Sequence, residues 1–188
     1  MKVYVVRHGE SETNLMKKWT GWFDAPLTEK GREDARRAVE FLKNVSFDKI
    51  YSSDLIRAVE TKEIAKPHCC FEKTSELREI NVGSLEGIEF KDIDIKDREK
   101  ISETGCGEYG GETREKFNSR VKAFLKKLEG EQCENIALFC HAGVLRSMFD
   151  EVMGINVPRN HYCCNNCTVA VFEYENDLWK LHTWINLA

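Results

Sequence analysis

The sequence predicts an α/β fold, three layers with a mostly parallel central sheet covered by helices, and three observations carry that expectation. Residues 3–6 and 136–140 are short, continuous apolar runs of the kind found in strands buried on both faces. Segments with apolar residues at helical spacing alternate with such runs, an order that produces parallel pairing. Both runs also stop abruptly at a histidine with a glycine close behind, Arg7-His8-Gly9 and His141-Ala142-Gly143. In open α/β sheets ligands bind beyond the carboxyl ends of strands, so the two histidines are expected at one sheet edge.

Along the chain, the first strand is followed by a polar loop over residues 11–26, expected to form one wall of a pocket. Thr28 as N-cap, Glu29 in the first turn and Ala35, Val39 and Leu42 at helical spacing predict a helix that ends before Asn44. Residues 47–51 give a second strand running into Ser52-Ser53-Asp54, a cluster suited to capping a helix with Ile56, Ala58 or Val59, and Ile64 on its apolar face. Arg57 then lies in the first turn, where a cation opposes the helix dipole. Local conflicts of that kind are expected mostly at functional sites.

Residues 75–87 read as irregular and carry Glu79, and residues 88–111, dense in charge, read as a short cap-like excursion over the sheet. Gly105, Gly107 and Gly110 have the spacing of a dinucleotide-binding loop, but no buried strand precedes them and the match is rejected. Residues 112–128 predict a helix with Phe117, Val121, Phe124 and Leu128 on one face and Gly130 as its stop. After the His141 strand, Val144, Leu145, Met148, Phe149 and Val152 predict a helix ended by Gly154. Residues 168–174 and 178–184 close the chain as two strands with a turn at Asn176-Asp177. The whole of residues 1–188 is expected to form one domain.

A net charge of -4 argues against a general nucleic-acid binder, so an anionic ligand has to be caught in a local pocket. No apolar run approaches a membrane span, and the first strand begins where a signal-peptide core would stand, so a cytoplasmic location is expected. Eight cysteines without an export signal read as reduced thiols. Cys163, Cys164 and Cys167 include one Cys-x-x-Cys, but Cys69, Cys70, Cys106 and Cys133 lack the spacing of a second zinc-ligand pair, and no metal is expected. Without export the Asn-x-Ser/Thr patterns at Asn44 and Asn166 carry nothing.

Arg7, His8, Arg57, Glu79 and His141 remain as the polar residues placed near strand ends. Guanidinium forks match phosphate oxygens, and phosphoryl transfer is catalysed mainly by positioning and charge stabilisation. A neutral imidazole can attack phosphorus and form a covalent intermediate, with a carboxyl group protonating the leaving oxygen. No cofactor is then required. Neither a Walker-type phosphate loop nor a His-Glu-x-x-His zinc motif is present.

These residues sit in ordered blocks: Arg7-His8-Gly9-Glu10 with Asn14, residues 21–31 from Gly21-Trp22 to Gly31, Ser52-Ser53-Asp54 through Arg57-Ala58 with Thr61, residues 79–87, Gly110-Gly111-Glu112-Thr113, and His141-Ala142-Gly143. Together they resemble the histidine phosphatase superfamily, also called phosphoglycerate-mutase-like, over nearly the whole chain. The resemblance implies that His8 is the nucleophile that becomes phosphohistidine and that Arg7, Arg57 and His141 hold the phosphoryl oxygens. It implies Glu79 as proton donor, preferred to Glu76 and Glu86 because it stands four residues before Gly83, as in the family's Glu-x-x-x-Gly pattern. Glu86 is then structural. Asn14, Thr20, Gly21 and Ala142 fall at substrate-binding positions. Lys17, Lys18, Trp19, Trp22 and the excursion are expected to form the pocket's far wall.

Within that family, mutases are typically longer and carry an asparagine after the His-Gly of the second histidine motif, where this chain reads His141-Ala142-Gly143-Val144. The phosphatase branch is therefore the expectation, with likeness to α-ribazole-phosphate phosphatases and broad-specificity or phosphoserine-type relatives. The partner is then a small phosphorylated metabolite, with no nucleic acid or membrane, and a homodimer is allowed. A phosphoglycerate mutase and a silent phospho-ligand-binding protein are the alternatives.

Overall fold

The computed structural model describes residues 1–155 and 161–188. A six-stranded mixed sheet is built from β1 (Lys2–Arg7), β2 (Lys49–Ser53), β3 (Glu72–Thr74), β4 (Asn135–Cys140), β5 (Thr168–Glu175) and β6 (Leu178–Asn186), in the spatial order β3-β2-β4-β1-β5-β6. β3, β2, β4 and β1 run parallel, and β5 and β6 join antiparallel at the far edge.

Alternation along the strands sorts side chains to two faces. Val3, Val5, Ile136 and Leu138 pack in one core with α5 (Arg114–Glu129) and α6 (Ala142–Met153), whereas Val6, Ala137 and Phe139 pack in the other with Ala38 and Leu42 of α2 (Glu29–Leu42) and Ala65 of α3 (Ile56–Ala65). The expected α/β/α layering is the observed architecture. Among the described residues no helix is long and apolar enough to cross a membrane.

The pairing of β1 with β4 sets Arg7 opposite Cys140, so His8 and His141 emerge side by side from neighbouring strand ends. His8 N–H donates to the Cys140 carbonyl at 3.0 Å, extending the ladder by one residue. β2 flanks β4 on its other side and ends at Ser53. Three parallel strands thus deliver their carboxyl ends to one place.

Several local expectations are corrected. The wall over residues 11–26 contains a short helix, α1 (Glu12–Leu15), closed by a capping box between Ser11 and Asn14. Asp54 does not cap α3. It forms a two-pronged ion pair with Arg78 (2.7 and 2.6 Å), and the cap comes from afar, Asp24 accepting from the Ile56 N–H at 2.6 Å. The inward face of α3 is Arg57, Ala58, Thr61, Lys62 and Ala65, while Ile56 is exposed, because helical spacing leaves the phase of a short helix open. The helix expected from Glu112 starts at Arg114 on the Thr113 hydroxyl, since the Glu112 side chain is held by Arg120.

The excursion contains α4 (Ile95–Thr104) and is more than a surface cap, as Ile101 and Cys106 are buried in the core. Its start is laced to the wall by Trp19 N–H to the Ile88 carbonyl (2.9 Å) and Phe90 N–H to the Lys17 carbonyl (2.9 Å), with Trp19 edge-on to Phe90. The strand β3, missed by the sequence reading, is three residues of charged and polar character at the sheet edge.

Candidate active site

His8 leaves β1 enclosed by the fold, 4% exposed. Its Nδ1 lies 2.6 Å from the Gly9 carbonyl oxygen. A carbonyl can only accept, so Nδ1 carries the ring proton and Nε2 keeps its lone pair. The Gly9 N–H donates to Thr61 Oγ1 (3.1 Å), which itself donates to the Arg57 carbonyl (2.7 Å), tying the turn after His8 to α3. A side chain on Gly9 would strike the Gly31 carbonyl at 2.2 Å, and one on Gly31 would strike the Glu10 carbonyl at 2.0 Å, so both positions require glycine.

The His141 ring meets the His8 ring edge-on, centroids 5.1 Å apart. Its Nε2 is 2.9 Å from Ser53 Oγ, while its buried Nδ1 has no hydrogen-bond partner among the described residues. Ala142, the first residue of α6, places its backbone N–H among the unsatisfied donors of that helix start, where the dipole favours an anion.

Arg57 is 1% exposed, with Nη1 donating to the Phe23 carbonyl and Nη2 to the Gly21 carbonyl, both at 2.9 Å. Its Nε, like that of Arg7, is buried without a partner among the described residues, while Arg7 Nη1 donates to the Cys164 carbonyl. Burial lowers the pKa of both guanidinium groups, that of Arg57 to about 10, partly countered at each by the nearby Glu79 carboxylate. Two desolvated cations with unpaired N–H groups match a dianionic ligand.

Glu79 stands across from them, held by the Ile80 N–H on Oε1 (2.8 Å) and the Gly143 N–H on Oε2 (3.0 Å). Its loop is braced by Arg120, which donates to the carbonyls of Glu76 (2.8 Å), Arg78 (2.9 Å) and Glu79 (3.3 Å) while paired two-pronged with Glu112. Glu86 accepts the Trp22 N–H at 2.8 Å.

Asn14 belongs to the same rim. Its Oδ1 takes the Ser11 N–H (3.3 Å) and the Asn166 Nδ2 (3.1 Å), an orientation that leaves its own amide donors for a ligand. Thr20 bonds Thr13 hydroxyl to hydroxyl (2.7 Å), and Gly21 adopts φ +50° to present its carbonyl to Arg57. Thus His8, His141, Arg7, Arg57 and Glu79 share one site with Asn14 and Ala142 at its edge, whereas Gly21 acts through Arg57.

Sequence reasoning missed Ser53, Asn166, Arg120 and the Cys164 carbonyl. Asn166 Nδ2 also donates to the His8 carbonyl (3.2 Å), joined there by the Cys167 N–H (3.2 Å). The eight cysteines are free thiols, and among the described residues no group of three or more His, Cys, Asp or Glu side chains forms a metal-holding cluster.

Burial, then the charges of Arg57 and Arg7, pushes the His8 pKa well below 6.5, and burial with Arg57, His8 and Arg7 does the same to His141. Both rings are neutral at pH 7. The folded-state pKa being the lower one, the unfolded chain binds more protons below pH 6.5, so stability rises with pH there. Chemical unfolding at pH 7 and pH 5.5 is expected to show a loss of about 1 kcal/mol for each histidine over that interval. Equal stability at the two values would contradict the buried neutral pair.

Three comparisons bear on this site. The model of the histidine phosphatase superfamily (branch 1) matches residues 3–187. A relative named "Probable phosphoglycerate mutase GpmB" from Salmonella choleraesuis strain SC-B67 is 30% identical over 194 aligned positions, covering 98% of this chain and 90% of its own length. Among solved structures, the α-ribazole phosphatase from Shigella flexneri is 26% identical with a TM-score of 0.84, covering 100% of this chain and 98% of that one. A phosphoglycerate mutase from Thermus thermophilus is 29% identical with a TM-score of 0.77, and each chain is covered completely.

Proposed function

This chain belongs to the histidine phosphatase superfamily, branch 1, and from that membership we propose that it hydrolyses a small phosphomonoester through a phosphohistidine at His8. The observation that carries the reading is the His8 tautomer, a neutral ring with its proton committed to the Gly9 carbonyl and Nε2 left as the nucleophile. In the first step Nε2 attacks phosphorus, the bond to the leaving oxygen breaks, and Glu79, which takes up a proton as the anionic ester binds between the two arginines, passes that proton to the leaving oxygen. Arg7, Arg57, His141 and the start of α6 meet the charge on the equatorial oxygens.

In the second step Glu79 takes a proton from water, the hydroxide oxygen bonds to phosphorus, and the N–P bond breaks to release phosphate and neutral His8. The arginines supply the charge stabilisation that a metal ion would otherwise give, so the reaction needs no added cation. The likeness to an α-ribazole phosphatase supports water as acceptor. The curated relative's name favours a second reading, in which the phosphohistidine is passed to a phosphoglycerate instead.

The two readings part at the acceptor. Phosphate release from p-nitrophenyl phosphate, phosphoserine, 3-phosphoglycerate and α-ribazole phosphate, assayed with chelator present, is expected to exceed interconversion of the phosphoglycerates. Interconversion with little release would make the protein a mutase. Binding of phosphate without either reaction would leave a silent phospho-ligand-binding protein.

A further inference from the structure

Ser52 and Ser53 are adjacent, buried and chemically identical, yet the fold gives them different work. The Ser52 hydroxyl donates to the Ser53 carbonyl at 2.8 Å, within its own turn. The Ser53 hydroxyl oxygen receives the Leu55 N–H at 3.4 Å and lies 2.9 Å from His141 Nε2. A backbone N–H can only donate, so that contact leaves the hydroxyl hydrogen to be placed, and Nε2 is the acceptor beside it.

The opposite arrangement, His141 donating, would bury the Ser53 hydrogen without a partner and aim the bare Nδ1 lone pair at whatever occupies the site. The first is costly where that hydrogen reaches no water, and the second repels phosphoryl oxygens, whereas an Nδ1–H left open is paired when the anion arrives. We propose that Ser53 is a positioning residue, whose hydroxyl donates to His141 Nε2 and so holds that ring in the Nδ1–H tautomer, presenting a donor to the phosphoryl group. This deepens the phosphatase reading and rests on it for the identity of the ligand.

His8 and His141 then share one tautomer but have opposite duties. In His8 the Nδ1 proton is committed to the Gly9 carbonyl and Nε2 attacks; in His141 the commitment is at Nε2 and Nδ1–H binds. The neutral state of both rings follows from burial beside Arg7 and Arg57. A fixed tautomer matters because a freely exchanging imidazole would spend part of its time with a lone pair facing the anion.

The test reads ring nitrogens directly. In the full-length chain with ¹⁵N-labelled histidine, the His141 signals are assigned by their loss in His141→Asn. The wild type is expected to carry the His141 proton on Nδ1, and inorganic phosphate is expected to shift that nitrogen. In Ser53→Ala the His141 pattern should change while the His8 pattern, set by Gly9, stays put, and kcat should fall roughly tenfold, the loss of one hydrogen bond. Ser53→Cys, similar in size and a weaker donor, should fall between. A wild-type His141 protonated on Nε2, or a His141 pattern unmoved in Ser53→Ala, would overturn the proposal. The Nδ1–H tautomer and its phosphate response in a protein that turns over no phosphomonoester would support the role of Ser53 and refute hydrolysis instead.

Discussion

His8→Ala is expected to lower phosphate release by about 10⁴-fold or more, because a covalent route loses its nucleophile outright and water has no equivalent path through the site. The fold should survive. The ring bonds to its neighbour Gly9 and packs against His141, so truncation leaves the strand ladder and the Cys140 carbonyl contact intact. Binding of inorganic phosphate should persist on Arg7, Arg57 and His141. Wild-type protein quenched in alkali during turnover should carry phosphate that is labile to acid, as a phosphorus–nitrogen bond is, and the variant should carry none. A variant retaining more than about a hundredth of the wild-type rate would assign the nucleophile elsewhere.

Glu79→Gln should separate substrates by leaving group. General acid catalysis is worth about 10²–10⁴-fold where the leaving oxygen needs a proton, and little where it departs readily as an anion. The variant is therefore expected to lose about 10²-fold or more on an alkyl phosphate such as phosphoserine and less than about tenfold on p-nitrophenyl phosphate. Gly143→Ala approaches the same carboxylate from outside, since a methyl there would lie 2.0 Å from Glu79 Oε1 and 3.1 Å from Phe117 Cζ. It should reproduce the leaving-group pattern together with a loss of stability. Equal losses on both substrates in Glu79→Gln would make Glu79 a binding group rather than a proton donor.

The site is organised around charge that the protein itself does not fully neutralise. Arg57 and Arg7 are drawn out of water, each with its Nε–H left unpaired among the described residues, and Glu79 is the carboxylate whose charge acts on both. Such an arrangement costs folding free energy and is what binding of the proposed dianionic ligand would offset. The same burial keeps both histidines neutral, so the proposed charge stabilisation and nucleophilicity would come from one cause.

Much of this was legible in the chain. Continuous apolar runs at residues 3–6 and 136–140 mark strands covered on both faces, and their abrupt ends place Arg7, His8 and His141 at one edge of the sheet. Arg57 stood out as a cation in a first turn, while Glu79 was separated from Glu76 and Glu86 only by the resemblance to the family's Glu-x-x-x-Gly pattern. Those are local signals, carried by spacing within a dozen residues.

What the tertiary structure alone decided has no such spacing. Ser53 reaches His141 across 88 positions, Arg7 reaches the Cys164 carbonyl across 157, and Asn166 reaches the His8 carbonyl across 158. Nothing in Ser52-Ser53 says which hydroxyl turns toward a histidine, and a backbone carbonyl has no sequence identity at all. Strand order and helix phase settle such pairings, because a hydrogen bond is fixed to tenths of an ångström by the packing of whole elements. The sequence determined which groups stand at the strand ends; the packed sheet decided which of them meet and which way each one faces.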